Sequence, residues 1–157
     1  MAFLLERDTL SGKLGTATVT VDGKVHELFR AREIKVVADI QTKEMKALGT
    51  TRIQPKNIGV RQTGSGVLYF GSDLLTQMAL DYMETGKVTY FDLQVTNSDP
   101  TATVGEQTMV YYGCKLSGEV LLSILDVDND MLEQPFTFSY TSAKKLASFS
   151  AESDYGV

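Results

Sequence analysis

Few residues of this chain could carry out catalysis, and they are not grouped. The sequence contains one histidine, His26, and one cysteine, Cys114. Nucleophilic catalysis needs a base beside the nucleophile, and His26 is expected to be an exposed strand residue near a turn. A lone cysteine forms no intrachain disulfide, so Cys114 is predicted to be a buried strand thiol. Twenty acidic residues leave carboxylate-pair chemistry open, although acids spread along a chain are usually surface residues. We predict that the protein is not an enzyme and needs no cofactor.

The stretch that most resembles a metal site is the acidic run 126–130, with the sequence Asp-Val-Asp-Asn-Asp. A calcium-binding EF-hand loop needs glycine at its sixth position and glutamate at its twelfth. Those positions are Met131 and Thr137 here. The sequence therefore predicts a solvated acidic turn and no metal site.

Composition narrows the class of protein further. The chain has 157 residues and a formal net charge of −5, which suits one folded domain. Nucleic-acid binders usually neutralise phosphates with basic residues. The negative net charge therefore argues against tight binding of DNA or RNA, and it suits a surface past which DNA slides. The first residues become charged too soon for a signal peptide, and no apolar run is long enough to span a membrane. We expect synthesis in the cytoplasm and no membrane anchoring.

The elements that would position any site are mostly strands. Alternation over 14–21 is followed by Asp22-Gly23, a dipeptide typical of tight hairpins. Alternation then predicts a return strand from about 25 to 42, and further strands near 67–70, 91–96, 108–116, 120–127 and 132–140. One helix is predicted from Leu74 to Thr85, capped by Ser72 or Asp73 and ended by Gly86. Its apolar stripe, which includes Met78, Tyr82 and Met83, is expected to pack in the core.

Three segments fall outside this regular pattern. Residues 1–13 are predicted to be an N-terminal arm, and residues 143–157 a loose C-terminal tail, leaving a domain over 14–142. Within that domain, residues 49–66 are rich in glycine and threonine and long for a loop in a compact domain. Ile53 and Ile58 favour an extended hairpin that docks onto another surface. The Gly64-Ser65-Gly66 run at its end is interpreted as hairpin geometry, because it leads into a strand and not into a nucleotide-binding helix.

Two segments carry opposite charge. Residues 49–66 contain three basic side chains and no acid, whereas residues 119–134 contain five acids and no base. Complementary surfaces of this kind suit a head-to-tail contact between copies, and such contacts build rings or filaments. The predicted contact residues are Arg52, Ile53, Lys56, Ile58, Arg61, Asp126, Asp128, Asp130 and Glu133.

The order of these elements resembles that of the tail tube proteins of contractile-tailed phages and phage-tail-like particles, the PBSX-like group. The resemblance covers roughly residues 11–145 and rests on an ordered set of short motifs. These are Ser11-Gly12, Val21-Asp22-Gly23, Gly64-Ser65-Gly66, the helix ending at Gly86, the strand 90–95, Leu125-Asp126-Val127-Asp128 and Gln134-Pro135-Phe136-Thr137-Phe138.

The resemblance implies a mainly β, sandwich- or barrel-like subunit with one flanking helix. Such subunits form hexameric rings that stack into a tube, and each lends strands to a barrel around the lumen. The segment 49–66 would then be the loop that reaches the adjacent ring. Alternation selects polar candidates for the lumen wall, namely Lys35, Asp39, Gln41, Gln94 and Thr96.

The function implied is that of a structural subunit of the inner tail tube, located in a virion or a phage-tail-like particle. The tube would be a channel for DNA ejection or a rigid piercing core. Expected partners are further copies of the chain, a sheath protein, a baseplate or initiator complex and a tape-measure protein, with DNA passing without specific binding. The alternative is a monomeric β-barrel or sandwich module that binds a small ligand or a protein.

Overall fold

Over the residues that the structure describes, the fold is mainly β with one helix, which confirms the predicted class. A computed structural model describes residues 12–28, 31–100 and 105–148. Within them the elements are β1 (Gly15–Val21), β2 (Lys24–Glu27), β3 (Ala31–Met45), β4 (Gln54–Tyr69), α1 (Leu74–Thr85), β5 (Phe91–Ser98), β6 (Glu106–Ser117), β7 (Glu133–Ser139) and β8 (Ser142–Ala147).

The strands form two antiparallel sheets that share β6. The strand order is β2-β1-β5-β6-β7-β4-β3, and β8 also pairs with β6. The first part of β6 pairs with β5 and β8, and its last residues, Lys115 to Ser117, pair with β7. A register shift separates these two parts close to Gly113, which has a φ of 66°. We call β2, β1, β5, β6 and β8 the first sheet, and β7, β4, β3 and the end of β6 the second sheet.

The two sheets pack face to face around one core. Val19 and Leu93 of the first sheet and Leu68 of the second sheet belong to the same buried cluster. The rings of Phe91 and Phe138 meet edge to face across the sheets, with centroids 6.1 Å apart. Helix α1 contributes the buried residues Leu75 and Met78 to this cluster. The inner faces are therefore apolar, and the two outer faces point away from each other.

The predicted turn and helix boundaries are confirmed. Asp22 and Gly23 have φ values of 50° and 80° between β1 and β2, as a tight hairpin with positive φ angles requires. At the start of α1, the Leu74 backbone N–H donates to the Ser72 hydroxyl at 3.4 Å. At its end, Gly86 adopts a left-handed conformation and donates its N–H to the Tyr82 carbonyl at 2.9 Å.

Glycines in β4 have a different role from the one predicted. Gly64 and Gly66 lie inside the strand and pair with Phe138 and Phe136 of β7. A Cβ at Gly64 would overlap the Phe138 ring, and a Cβ at Gly66 would lie 2.8 Å from the Phe136 ring. The interpretation as hairpin geometry is wrong, because these glycines allow phenyl rings to lie directly on the backbone.

The strand predicted over 120–127 is absent from the structure. Gly118, with a φ of 69°, follows the end of β6, and the chain then runs without regular structure to β7. The Leu121 carbonyl accepts a hydrogen bond from the side chain of Gln134 in β7 at 2.7 Å. Leu125 and Val127 are almost fully exposed. Apolar composition alone therefore did not produce a strand here.

Three further boundaries differ from the predictions. The return strand over 25–42 is divided into β2 and β3, and β4 begins at Gln54, well inside the segment predicted to be irregular. The predicted loose tail is wrong for residues 143–147, which pair with β6 as part of β8. Most of the predicted N-terminal arm, residues 1–11, and the end of the tail, residues 149–157, lie outside the described residues.

Candidate assembly site

The longest strands among the described residues form a hairpin that extends beyond the core. Strands β3 and β4 pair from Ala31 opposite Leu68 to Met45 opposite Gln54. Only the half of this hairpin nearest the core is covered by other elements. All residues from 38 to 61 are exposed except Gln41, which is half-buried. We call residues 38–61 the projecting hairpin. Its paired part extends roughly 25 Å past the core, at about 3.3 Å per residue.

The projecting hairpin exposes apolar side chains on the face that continues the core. Ile34 and Val36 are half-buried and pack against the core cluster. Ile40 follows on the same face of β3 and pairs with Val60, yet these two side chains are 58% and 55% exposed. Two-stranded hairpins are marginally stable alone, so this face is suited to being covered by another molecule. Further exposed apolar residues on the projecting hairpin are Met45, Leu48, Ile53 and Ile58.

The end of the projecting hairpin is strongly basic. Residues 42–61 contain five basic side chains and one acid. Lys43 and Lys56 lie directly opposite each other in the strand register, and like charges in that position are destabilising. Arg52 lies in the exposed connection between the strands. An acidic partner would relieve this repulsion.

Arg61 has different surroundings from the other predicted basic contacts. It lies opposite Asp39 in the register, and the Asp39 carboxylate also accepts a hydrogen bond from the Gln41 side chain at 2.8 Å. Arg61 was predicted to contact another subunit, and Asp39 and Gln41 were predicted to line the lumen. The structure places all three together on one face of the hairpin.

Tyr140 holds the base of the hairpin where the core ends. Its hydroxyl donates to the Val37 carbonyl at 3.1 Å, and its backbone N–H donates to the Gln62 carbonyl at 3.4 Å. The Tyr111 ring packs edge to face on it, with centroids 5.1 Å apart. Burial raises the pKa of the Tyr140 phenol, so the group stays protonated and remains a donor at neutral pH.

The predicted acidic residues separate into two environments. Asp126, Asp128 and Asp130 lie in the irregular connection between β6 and β7, residues 118–132, which we call the acidic segment. There the Asp128 backbone N–H donates to the Asp126 carboxylate at 3.0 Å, which stabilises an exposed turn. Glu133 instead begins β7 and forms an ion pair with Arg32, with an N–O distance of 3.1 Å. Three of the predicted acids are therefore exposed on one connection, and Glu133 is paired within the chain.

The predicted lumen residues also separate, because they belong to different sheets. Lys35, Asp39 and Gln41 lie on the outer face of the second sheet, opposite Ser65, Arg61 and Gly59 of β4. Gln94 and Thr96 lie on the outer face of the first sheet. On that face Thr108, the partner of Thr96, is buried, and the two hydroxyls are 3.2 Å apart. These outer faces point in opposite directions, so one side of the subunit does not present all five residues.

Sequence reasoning missed an apolar groove between α1 and the acidic segment. The groove has a volume of about 490 Å³, and its lining includes Met78, Ala79, Met83, Val120 and Leu122. Tyr82 and Met83 were predicted to pack in the core with Met78. That prediction is wrong for both, since they are 56% and 69% exposed. Helical spacing identified one stripe, but only part of that stripe reaches the core.

The residues considered for chemistry are not brought together. His26 lies exposed on β2, whereas the Cys114 side chain is fully buried and donates to the Tyr111 carbonyl at 3.4 Å. Burial raises the pKa of the Cys114 thiol to about 11, so the thiol is protonated at neutral pH. Among residues 12–28, 31–100 and 105–148, no three His, Cys, Asp or Glu side chains are grouped as metal ligands. The same ranges contain no helix with the length and apolarity of a membrane span.

A sandwich with an uncovered hairpin and exposed apolar surfaces has the features of a subunit built for assembly. The chain belongs to the phage tail tube protein family, whose sequence model matches residues 2–143. It is 27% identical over 137 residues to the phage-like element PBSX protein XkdM of Bacillus subtilis (strain 168). This alignment covers 86% of this chain and 90% of that protein. The uncharacterized protein YqbM of the same strain is 26% identical over 137 residues, and that alignment covers the same shares of the two chains.

Solved structures share the fold at low sequence identity. A chain in the cryo-EM structure of the anti-feeding prophage baseplate matches with a TM-score of 0.64 at 9% identity, covering 85% of this chain and 92% of that one. A chain in the extended sheath–tube complex of the PVC extracellular contractile injection system matches with a TM-score of 0.61 at 12% identity, covering 88% and 92%. Hcp1 from Flavobacterium johnsoniae matches with a TM-score of 0.51 at 13% identity, covering 83% and 94%.

Family membership confirms three of the predictions from sequence. The protein is a structural subunit of a tail tube. It is a component of a phage or phage-like particle. Its family is structural and not enzymatic.

Proposed function

We propose that copies of this chain form hexameric rings that stack into the inner tube, and that the projecting hairpin makes the contacts between rings. The main support is the exposure of Ile40 and Val60 on the face that continues the core. In a monomer this apolar surface remains in water. Burial in an assembly would stabilise each copy by about 25 cal/mol for every Å² of apolar surface covered.

Ring closure would also pair the free strand edges. Strand β3 lies at one end of the strand order, and β2 lies at the other end. Among the described residues, the outer edge of β3 is therefore without a strand partner over 15 residues. Long unpaired edges promote uncontrolled association, and a closed barrel removes them. Each ring would join the second sheets of its copies into one wall around the lumen.

The outer face of the second sheet is the best candidate for that wall. Lys35, Asp39 and Arg61 give it charged side chains of both signs, together with the polar Gln41. Such a surface would let DNA pass without specific binding, because strong binding depends on a concentration of positive charge. Gln94 and Thr96 are not assigned to this wall, because they lie on the other sheet.

The hairpin of one copy would bind the acidic segment of another copy. Arg52, Lys56 and the neighbouring Ile53 and Ile58 would supply the basic and apolar side of the contact, and Asp126, Asp128 and Asp130 the acidic side. The like-charged pair Lys43 and Lys56 supports this contact, because a carboxylate nearby offsets its repulsion. Glu133 would contribute less, because Arg32 already neutralises it.

Further partners are proposed from the assemblies in which similar folds occur. The matched structures come from a sheath–tube complex and from a baseplate. We propose that this tube binds a sheath protein on its outside, starts from a baseplate or initiator complex, and encloses a tape-measure protein. The tube would act as a channel for DNA ejection or as the rigid core of a piercing particle.

Negative-stain electron microscopy of the purified protein, concentrated and incubated for days, tests the proposal. We expect rings with six-fold symmetry or hollow tubes, with or without a tail lysate as a source of initiator. Featureless monomers under every condition would contradict the proposal and favour a monomeric β module that binds a ligand or a protein.

A further inference from the structure

We infer that the groove between α1 and the acidic segment is the receptor for the tip of the projecting hairpin of a second copy, with Leu48 and Ile53 as the inserted side chains. This inference rests on the proposed stacking of subunits and names the surface that receives the hairpin. The groove extends over about 490 Å³, which is large enough for two aliphatic side chains.

The groove has the chemistry of an unfilled contact surface. Met83, Val88 and Leu122 line it and are 69%, 38% and 37% exposed. Its walls come from several elements, with Met78 and Ala79 on α1, Leu116 at the end of β6 and Val120 on the acidic segment. Apolar side chains exposed together in a concave surface are typical of a binding site for another protein.

The hairpin tip carries side chains that match the groove. Leu48 is fully exposed and Ile53 is 52% exposed, and both lie in the connection between β3 and β4. In the isolated chain the Leu48 side chain buries none of its apolar surface. Insertion of such a side chain into a partly dehydrated pocket is typical of the anchor residues of protein interfaces.

Charge around the two surfaces favours this pairing over other exposed apolar segments. The groove lining itself includes one base, Lys115. Acids flank the lining in sequence, with Asp81 and Glu84 on α1 and Glu119 on the acidic segment, and Lys87 precedes Val88. The acidic segment then continues to its three exposed aspartates. The hairpin end brings an excess of four basic residues within 42–61. Leu125 and Val127 are equally exposed, but they lie among acids and would bring like charge to the groove.

Cysteine cross-linking in assembled tubes tests the inference. The only natural cysteine, Cys114, is buried and protonated, so introduced thiols react without interference. In the double variant Leu48→Cys with Met83→Cys, mild oxidation should join each subunit to the next and give a ladder of oligomers on a non-reducing gel. Each single variant should give no ladder, because one cysteine per subunit cannot join more than two copies.

The control places the second cysteine outside the groove. In Leu48→Cys with Leu146→Cys, the second position is 55% exposed on β8, away from the acidic segment in sequence, and we expect no ladder from tubes of this variant. If tubes form but the groove pair gives no ladder, or the control pair gives one instead, the inference is wrong while the tube function stands. Absence of rings and tubes from the unmodified protein would instead contradict the proposed function.

Filling the groove provides a second test that needs no oxidation. Ala79→Trp places a large side chain in the groove, whereas Gln77→Trp adds the same bulk to an exposed position of α1 outside it. We expect Ala79→Trp to raise the protein concentration needed for tube growth about ten-fold or more and Gln77→Trp to leave it unchanged. Circular dichroism and thermal melting establish that both monomers are folded. Equal assembly by two folded variants would overturn the inference.

Discussion

The two halves of the β3–β4 hairpin have the same secondary structure but different surroundings. Near the core, Gly64 and Gly66 lie under phenyl rings of β7, and Val36 packs against the core cluster. Farther out, Ile40 and Val60 continue the same face and remain exposed. The inner half is stabilised by its own chain, whereas the outer half lacks such contacts, and we propose that other copies of the chain cover it. Variants in the inner half should therefore change folding, and variants in the outer half should change assembly.

Charge reversal at the hairpin end should have the largest effect, which is loss of tubes. Arg52→Glu with Lys56→Glu removes two positive charges and adds two negative ones. The net charge beside the acidic segment of the next copy therefore falls by four units. Both positions are exposed, so we expect the monomer to keep its melting temperature. Electron microscopy and sedimentation measure the assembly. The charge-preserving variant Arg52→Lys with Lys56→Arg serves as the control and should assemble, and tubes formed by the reversed variant would disprove the contact.

Gly64→Ala should have the largest effect on the monomer. Its methyl group would overlap the Phe138 ring, and we expect the free energy of unfolding to fall by about 1–3 kcal/mol, the usual cost of overpacking. Urea unfolding measures this change. Gly59→Ala is the matched control in the same strand, because nothing lies within 4 Å of a Cβ there. Equal destabilisation by the two substitutions would show that the inner half is not distinguished by packing.

Tyr140→Phe should weaken the boundary between the two halves. The substitution removes the hydrogen bond to the Val37 carbonyl and should lower the free energy of unfolding by about 1 kcal/mol. We also expect faster amide hydrogen exchange at the outer end of the hairpin, because its base is held less firmly. An unchanged stability together with unchanged exchange would mean that Tyr140 does not anchor the hairpin.

Ile40→Thr should have the smallest effect on the monomer and a clear effect on tubes. Ile40 is mostly exposed, so its unfolding free energy should change by no more than about 0.5 kcal/mol. Val36→Thr, four residues earlier on the same face, should destabilise the monomer more because that side chain packs against the core. In sedimentation assays the order should reverse, with Ile40→Thr requiring more protein for tube growth. The same order in both assays would argue against burial of Ile40 in the assembly.

The sequence was sufficient to predict the mainly β class, the Asp22-Gly23 turn and α1 with its Gly86 end. Each of these depends on neighbouring residues, through alternation, a positive φ angle or a helical stripe. The resemblance identified the family because it depended on the order of several motifs. Local patterns could not distinguish Tyr82 and Met83 from Met78, since one helical stripe extends from the core into an open groove.

Tertiary structure decided which regular surfaces are covered. Alternation in β3 is the same at Val36 and Ile40, yet only Val36 meets the core, because the other elements of the chain end before the hairpin does. The role of Gly64 and Gly66 likewise depends on phenyl rings that approach from a strand about 70 residues later in the chain. The residues from 118 to 132 contain apolar side chains suited to a strand but do not pair with any strand in the structure. Side-chain pattern is a local property, whereas burial and pairing depend on what the rest of the chain brings alongside.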